Sequence, residues 1–308
     1  MTSENASDSS AQARFSQISF AEETSTMTSS LASPPVARAR REVLERGAAA
    51  LAAIALGLPL ANCAQNETLG RSQLILVSPE EVEQMADMSE AHLRQQFGGP
   101  TRDRRRQREI ERMADRMAAV EGAPRPRRGL RGEALASPAL NAFALPNGYT
   151  AYLDGLWDFA RGDRDELASI MGHEMGHIAG RHAQERISQH LAFSVGAAII
   201  GTAAAAAGSR RYTPAIGAAL GLGVALGGSA FSREHEYEAD QLGLIYAARA
   251  GYDPRKGVAF FARMEESMGD NPMSFLATHP PYGDRRRRMA RLLETNPEIA
   301  AASRRRAA

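Results

Sequence analysis

GDRDELASIMGHEMGHIAGRHAQ, residues 162–184, decides how this chain is read. Asp163 or Asp165 suits a helix N-cap, and a helix is predicted from there through about Gln189. Within it stands HEMGH, residues 173–177. Residues four apart share one face of a helix, so His173 and His177 can aim two imidazole nitrogens at one ion. Zn²⁺ suits imidazole, at bond lengths of about 2.0–2.1 Å. Glu174 is one position on, beside the ion without ligating it, and there it can take a proton from a zinc-bound water. Gly172, Gly176 and Gly180 fall at i, i+4 and i+8. A glycine in a helix interior costs about 1 kcal/mol against alanine, so a stripe of three implies a very close neighbour.

Two histidines leave a catalytic zinc short, because such sites keep three protein ligands and an open position. The spacing HExxHxxGxxH is not completed here, since position 183 is Ala. The third ligand is therefore sought elsewhere, in FSREHEYEAD, residues 231–240. Glu236 is the choice, with His235 the alternative. Asp240, one turn on from Glu236, can hold a ligand imidazole by its free N–H. Glu234 and Glu238 are expected on other faces, in solvent.

Around this motif the chain reads as mainly helical with a small β-sheet. Ser78, Pro79 and Glu81 form a capping-box start for a helix to about Phe97, and a second helix is predicted from Thr101 to Val120. NAFALPNGYTAYLDGL, residues 141–156, reads as strand, turn and returning strand. Residues 191–231 are nearly all Ala, Gly, Leu, Ile and Val. They predict a helical hairpin that packs in the fold or against a membrane surface, each arm being at the margin for spanning a bilayer. Further helices are expected from Ser232, from Asp253 and after ATHPPYGDRRRRM, residues 277–289.

Composition is that of a globular protein: 44% apolar, 24% charged and a net charge of +1 over 308 residues. That balance gives no electrostatic case for nucleic acid as a partner. The single cysteine, Cys63, excludes an internal disulfide framework and a cysteine-rich metal site. Before it, a basic segment (39–47) leads into the apolar run 47–60 and then Ala61–Asn62–Cys63. This is signal-peptide anatomy. The order Leu60–Ala61–Asn62–Cys63 resembles a bacterial lipobox, and Arg40–Arg41 resembles a twin-arginine export signal. Cys63 is thus the expected lipidation site, and Ala64 after it favours the outer membrane.

HEMGH, FSREHEYEAD and ATHPPYGDR together resemble the zinc gluzincins related to the CAAX prenyl protease and the Oma-type peptidases. They are most similar to the bacterial periplasmic branch that includes barrel-assembly-enhancing protease-like lipoproteins. The resemblance implies a gluzincin-type metallopeptidase domain with His173, His177 and Glu236 as zinc ligands, Glu174 as general base and Asp240 behind the ligands. It places His279 beside the metal, as oxyanion stabiliser or as a fourth ligand that masks the site, and adds Arg285 to the catalytic set. The strand with Asn141, Ala142 and Phe143 resembles an edge strand that binds substrate backbone. The implied organisation is an N-terminal extension (1–46), a signal h-region and lipobox (47–63), a linker (64–77), the peptidase domain (78–296) and a basic tail (297–308). The implied function is an envelope zinc metalloendopeptidase on the periplasmic face, acting on unfolded or misassembled proteins and held to the membrane by lipid and by the 191–231 hairpin. The alternative is a lipid-anchored chaperone or assembly factor with a latent zinc site.

Overall fold

A computed structural model describes residues 63–193, 231–268, 275–280 and 284–305. All of them belong to one unit, residues 50–308. The expected signal segment, and all but the edges of the 191–231 hairpin, lie outside the described residues. Among the described residues, no helix is long and apolar enough to cross a membrane.

The elements run β1 (Cys63–Asn66), β2 (Arg71–Leu74), α1 (Pro79–Gln96), α2 (Arg104–Ala118), β3 (Arg131–Leu135), β4 (Ala142–Ala144), β5 (Tyr149–Leu153), α3 (Asp154–Phe159) and α4 (Arg164–Ala179). After α4 a helix α5 covers 182–193. Then follow α6 (Arg233–Arg249), α7 (Pro254–Met268), α8 (Phe275–Thr278), α9 (Arg285–Thr295) and α10 (Pro297–Arg305). The mainly helical class with small sheets is therefore found.

Local chemistry sets the helix starts. Ser78 and Glu81 close a reciprocal capping box on α1. The Asp103, Asp163 and Ser232 side chains accept from the first-turn amides of α2, α4 and α6. One sheet has the order β3-β5-β4, with β3 parallel and β4 antiparallel to β5. β4 pairs with β5 alone among the described strands, so it is an edge. Register and flanking bonds (Leu153 N to Asn141 O, Leu145 N to Tyr149 O) turn the backbone N–H and C=O of Ala142 and Ala144 away from the sheet.

The core closes around α4. Leu167, Ala168, Ile170, Met171 and Met175 are buried on several faces of that helix, against Met113, Met117, Tyr152, Tyr246 and Phe260. Residues 166–177 of this helix are buried on every face, polar side chains included, so it is central. The glycine stripe explains how α6 reaches it. A Cβ on Gly172 would lie 2.4 Å from the Gly243 carbonyl oxygen, and one on Gly176 would lie 2.8 Å from the Ala239 Cα. Side-chain-free surfaces let the two backbones touch, and that contact sets Glu236 and Asp240 beside His173.

Three expectations are corrected. The single helix through Gln189 is two helices, broken at Gly180 and at Arg181, whose φ is 54°. The stretch 64–77, read as a linker, forms the antiparallel β1–β2 hairpin. It is held by side chains and not by an apolar stripe: Asn66 Nδ2 donates to Ala179 O at 3.2 Å and Gln73 Nε2 to Gly180 O at 2.7 Å, satisfying carbonyls at the end of α4. The stretch 297–308, read as a basic tail, includes α10, whose Ile299, Ala300 and Ala302 are buried.

Candidate active site

α4 supplies His173, Glu174 and His177, α6 supplies Glu236 and Asp240, and the end of α8 supplies His279. All six are buried. His173 Nε2 stands 3.1 Å from His177 Nε2 and 3.1 Å from His279 Nδ1. Glu236 Oε1 lies 3.1 Å from His279 Nδ1 and 3.5 Å from His177 Nε2, and its Oε2 lies 3.5 Å from His173 Nε2. One ligand atom from each of His173, His177, Glu236 and His279 falls within 4.8 Å of all the others.

This donor set fits a metal ion. Zinc bonds of about 2.0–2.1 Å in a tetrahedron put neighbouring ligand atoms about 3.4 Å apart, matching these separations. Imidazole nitrogens crowded on one another and on a carboxylate oxygen repel through their lone pairs unless a cation or shared protons stand between them. Burial, and then the charges of the neighbouring imidazoles, push His177 well below its ordinary pKa, toward the neutral form that ligates. Among the described residues this is the one cluster of that kind. His235, the alternative ligand, is not in it: its Nε2 faces Glu185 Oε2 at 3.2 Å.

Arg285 ties the cluster together. Its Nε and Nη2 donate to the two Asp240 oxygens at 2.8 and 2.7 Å, and its Nη1 donates to the His279 and Pro280 carbonyls at 3.1 and 2.9 Å. Nη1 also lies 2.6 Å from Glu236 Oε2. Burial opposes ionisation of Asp240 and Glu236, but Arg285, together with His279 at Glu236, outweighs it, and both stay below the usual carboxylate range. Asp240 Oδ1 lies 3.0 Å from His173 Nδ1. The guanidinium is thus committed to these partners, so the structure gives Arg285 a holding position and not a free oxyanion donor.

Glu174 has a different environment. Burial raises its pKa, opposed by His279, His173 and the Ala144 backbone amide, and Oε1 lies 3.4 Å from His279 Nε2. Ala144 belongs to the edge strand predicted to bind substrate, so that strand lies beside the helix that carries Glu174. A cleft of about 320 Å³ opens there, lined by Ala144, Pro146, Val82, His177, Ile178 and Phe231 among others. Of the predicted strand residues, Ala142 is buried while Asn141 and Phe143 are partly buried.

Sequence reading missed His182 and misplaced Glu238. His182 is fully buried, with Nδ1 2.9 Å from His177 Nδ1 and Nε2 3.0 Å from Glu238 Oε2. Glu238 is not a solvated side chain: Arg71 Nη2 donates to it at 2.9 Å. On one continuous helix, residues 177 and 182 point to different sides, so only the break at Gly180–Arg181 brings the rings together.

Residues 104–295 match the family model described as Peptidase family M48. The chain is 33% identical over 144 residues to mitochondrial metalloendopeptidase OMA1 of Arabidopsis thaliana, covering 46% of this chain and 27% of that protein. It is 34% identical over 155 residues to a putative beta-barrel assembly-enhancing protease of Vibrio cholerae, covering 47% and 31%. It is 28% identical over 193 residues to mitochondrial metalloendopeptidase OMA1 of Schizosaccharomyces pombe, covering 61% and 52%. The chain thus spans between 27% and 52% of the length of these relatives. With a family match over well more than half of its residues, and with HEMGH and Glu236 brought to one buried cluster, the chain belongs to peptidase family M48 and carries a gluzincin-type metallopeptidase domain.

Proposed function

We propose that this chain is a zinc-dependent endopeptidase in which His173, His177 and Glu236 hold the metal and Glu174 is the general base. The observation that carries the reading is the convergence of His173, His177 and Glu236, with Glu174 buried on the same helix and raised in pKa and with His177 lining the cleft. Zn²⁺ held by these residues would supply a Lewis acid for the scissile carbonyl and would lower the pKa of a water to about 7. Glu174 takes the proton from that water and hands it to the leaving amine, a role that a carboxylate of raised pKa suits. Asp240 orients His173. Arg285 holds Asp240, Glu236 and the His279 backbone in register, so it acts through the ligands as a positioning residue.

The substrate is read as an extended or unfolded polypeptide. The outward C=O of Ala142 and C=O of Ala144 on β4 can pair with a substrate strand laid along the edge. A bacterial envelope location, on the periplasmic face and with lipidation at Cys63, rests on the sequence ahead of β1 and on the name of the Vibrio relative. Misfolded or stalled envelope proteins are the substrates this location implies.

One observation favours a second reading alongside it. His279 Nδ1 occupies the fourth corner of the cluster, where a catalytic zinc keeps its open position. A site closed this way is masked at rest, and a permanently masked site would make the chain an assembly factor with a latent centre.

The test is the zinc content of the purified chain, beside cleavage of unfolded casein, for wild type and Glu174→Gln. One zinc per chain in both, with cleavage lost in the variant by at least about 10²-fold, supports the peptidase. Equal cleavage by the two preparations would sink the assignment of Glu174.

A further inference from the structure

We propose that His182 is a positioning residue for the metal site: it fixes the His177 ring so that Nε2 faces the cluster, and thereby sets how long the metal stays bound. The inference rests on the reading of His177 as a ligand. With His177 Nε2 turned to the cluster, the ring's proton sits on Nδ1, which donates to His182 Nδ1 across 2.9 Å. His182 then carries its own proton on Nε2 and donates it to Glu238 Oε2 across 3.0 Å. Glu238 only accepts, so the direction of both bonds is set from its end. Turning over the His182 ring would aim a carbon edge at Glu238 and lose both bonds.

The surroundings hold this chain of bonds in place. Arg71 grips Glu238 through Nε at 2.5 Å and Nη2 at 2.9 Å, and grips Glu185 at 3.0 and 2.8 Å. Glu185 in turn contacts His235, whose ring stacks on His182 with centroids 4.4 Å apart and planes 12° from parallel. The backbone is shaped for the same end. Arg181 adopts φ 54°, the left-handed region that residues with a side chain seldom occupy. Gly180 can be nothing larger, since a Cβ there would lie 2.2 Å from His182 Nε2. The two histidines of HEMGH are therefore held differently. His173 faces the Asp240 carboxylate directly, while His177 reaches the Glu238 carboxylate through a second imidazole and, beyond it, Arg71 of the β1–β2 hairpin.

Loss of such an orienting partner costs about 10–100-fold in metal affinity. The experiment loads the full chain with Zn²⁺ and follows its release to excess chromophoric chelator, for wild type, His182→Leu, His182→Asn and Glu238→Gln. His182→Leu is expected to release zinc about 10–100-fold faster. His182→Asn, whose Oδ1 can stand near the lost Nδ1 and accept from His177, is expected to recover most of that loss. With Co²⁺ in place of Zn²⁺, the visible absorption band should shift in His182→Leu and return in His182→Asn. Wild-type release from a His182→Leu chain whose metal-free thermal unfolding is unchanged overturns the inference, as does an Asn variant no better than Leu. If His182→Leu does not fold, Glu238→Gln decides: faster release upholds the inference and a wild-type rate overturns it. A wild-type chain that binds no Zn²⁺ removes the ligand reading underneath, and the inference falls with it, whereas zinc bound by wild type and unaffected at 182 refutes the inference alone.

Discussion

Gly172 and Gly243 meet back to back: a Cβ on Gly172 would lie 2.4 Å from the Gly243 carbonyl oxygen, and one on Gly243 would lie 2.6 Å from the His173 amide nitrogen. Neither contact can be relieved by a rotamer change, because the obstacles are backbone. Gly243→Ala must therefore push α6 off α4. Forced overpacking of this kind costs about 1–3 kcal/mol. Because Glu236 and Asp240 ride on α6, the same shift should also take the proposed third ligand, Glu236, out of place. Denaturant unfolding should show the loss of stability, and zinc titration should show weakened binding. A variant less stable but with wild-type zinc affinity would mean that the helix contact does not set the ligand geometry.

The parts of this site that sequence reveals are those with a local period. His173 and His177 share a helix face, Glu236 and Asp240 share another, and the glycines announced a close neighbour before that neighbour was visible. What stayed hidden depends on breaks in the period. His182 sits five residues after His177, a spacing that separates two side chains on a continuous helix, and nothing local marks Arg181 for the left-handed region. The β1–β2 hairpin carries no apolar alternation, since Asn66, Arg71 and Gln73 attach it by hydrogen bonds to residues about 110 to 170 positions away. Arg285 begins a run of four arginines; the family resemblance singled it out, but only its burial against Asp240 shows that it holds the site together.

Arg285 offers a second prediction. Removing it leaves Asp240 and Glu236 buried without their counter-charge. Breaking a buried pair from one side costs about 3–5 kcal/mol. Arg285→Met should destabilise on that scale. Arg285→Lys should recover little, because one ammonium cannot span both Asp240 oxygens and the His279 and Pro280 carbonyls. Thermal unfolding of the metal-free chain reads this out without reference to activity. Full rescue by Lys would show that charge alone matters.

Acid should loosen the turn that carries the edge strand. Asn147 Nδ2 donates to Asp87 Oδ1 at 2.7 Å and to Glu90 Oε2 at 3.0 Å. The Asn147 bond, reinforced by Arg128, holds the Asp87 pKa below its ordinary value. Burial opposes the same shift at Glu90, but Arg131 and Asn147 outweigh it. Both groups are thus depressed on folding. Their contribution is present above the unfolded carboxylate range and is lost as pH falls through the folded values. The urea midpoint of wild type should drop below about pH 4. In Asn147→Ala it should be lower at neutral pH and fall less steeply with acid. Parallel curves for the two would exclude a linked role for Asn147.

Ala144→Pro separates the edge strand's two duties. The Ala144 N–H points away from β5 and helps to lower the pKa of the buried Glu174. Proline is tolerated on an edge strand when the lost donor faces outward. The sheet should survive, with zinc content unchanged, while casein cleavage falls through loss of the amide dipole beside Glu174. Far-ultraviolet circular dichroism and zinc stoichiometry check the first part, and kcat the second. An unfolded variant would show that the strand cannot accept the ring. An unchanged kcat would show that the Ala144 amide does not act on the base.

His279 decides whether the fourth corner is closed as a brake or occupied as part of the chemistry. Its ring is stacked between Phe275, with centroids 4.2 Å apart, and Phe231, at 5.5 Å, and its carbonyl is tied to Arg285. On the proposed ligand reading, Nδ1 takes the position that a catalytic zinc leaves open, and a chain held this way would turn over only in the fraction of time the ring is displaced. Apparent activity is reduced by that fraction. His279→Ala leaves His173, His177 and Glu236, the complement a catalytic zinc needs. The variant should therefore keep one zinc per chain, hold it somewhat less tightly and cleave casein faster, by about the reciprocal of the competent fraction. Steady-state rates with zinc stoichiometry measured on the same preparation give the answer. A fall in kcat at unchanged KM, with zinc retained, would instead mean that the imidazole stabilises the transition state, and that the corner is vacated only far enough for Nε2 to reach the developing charge.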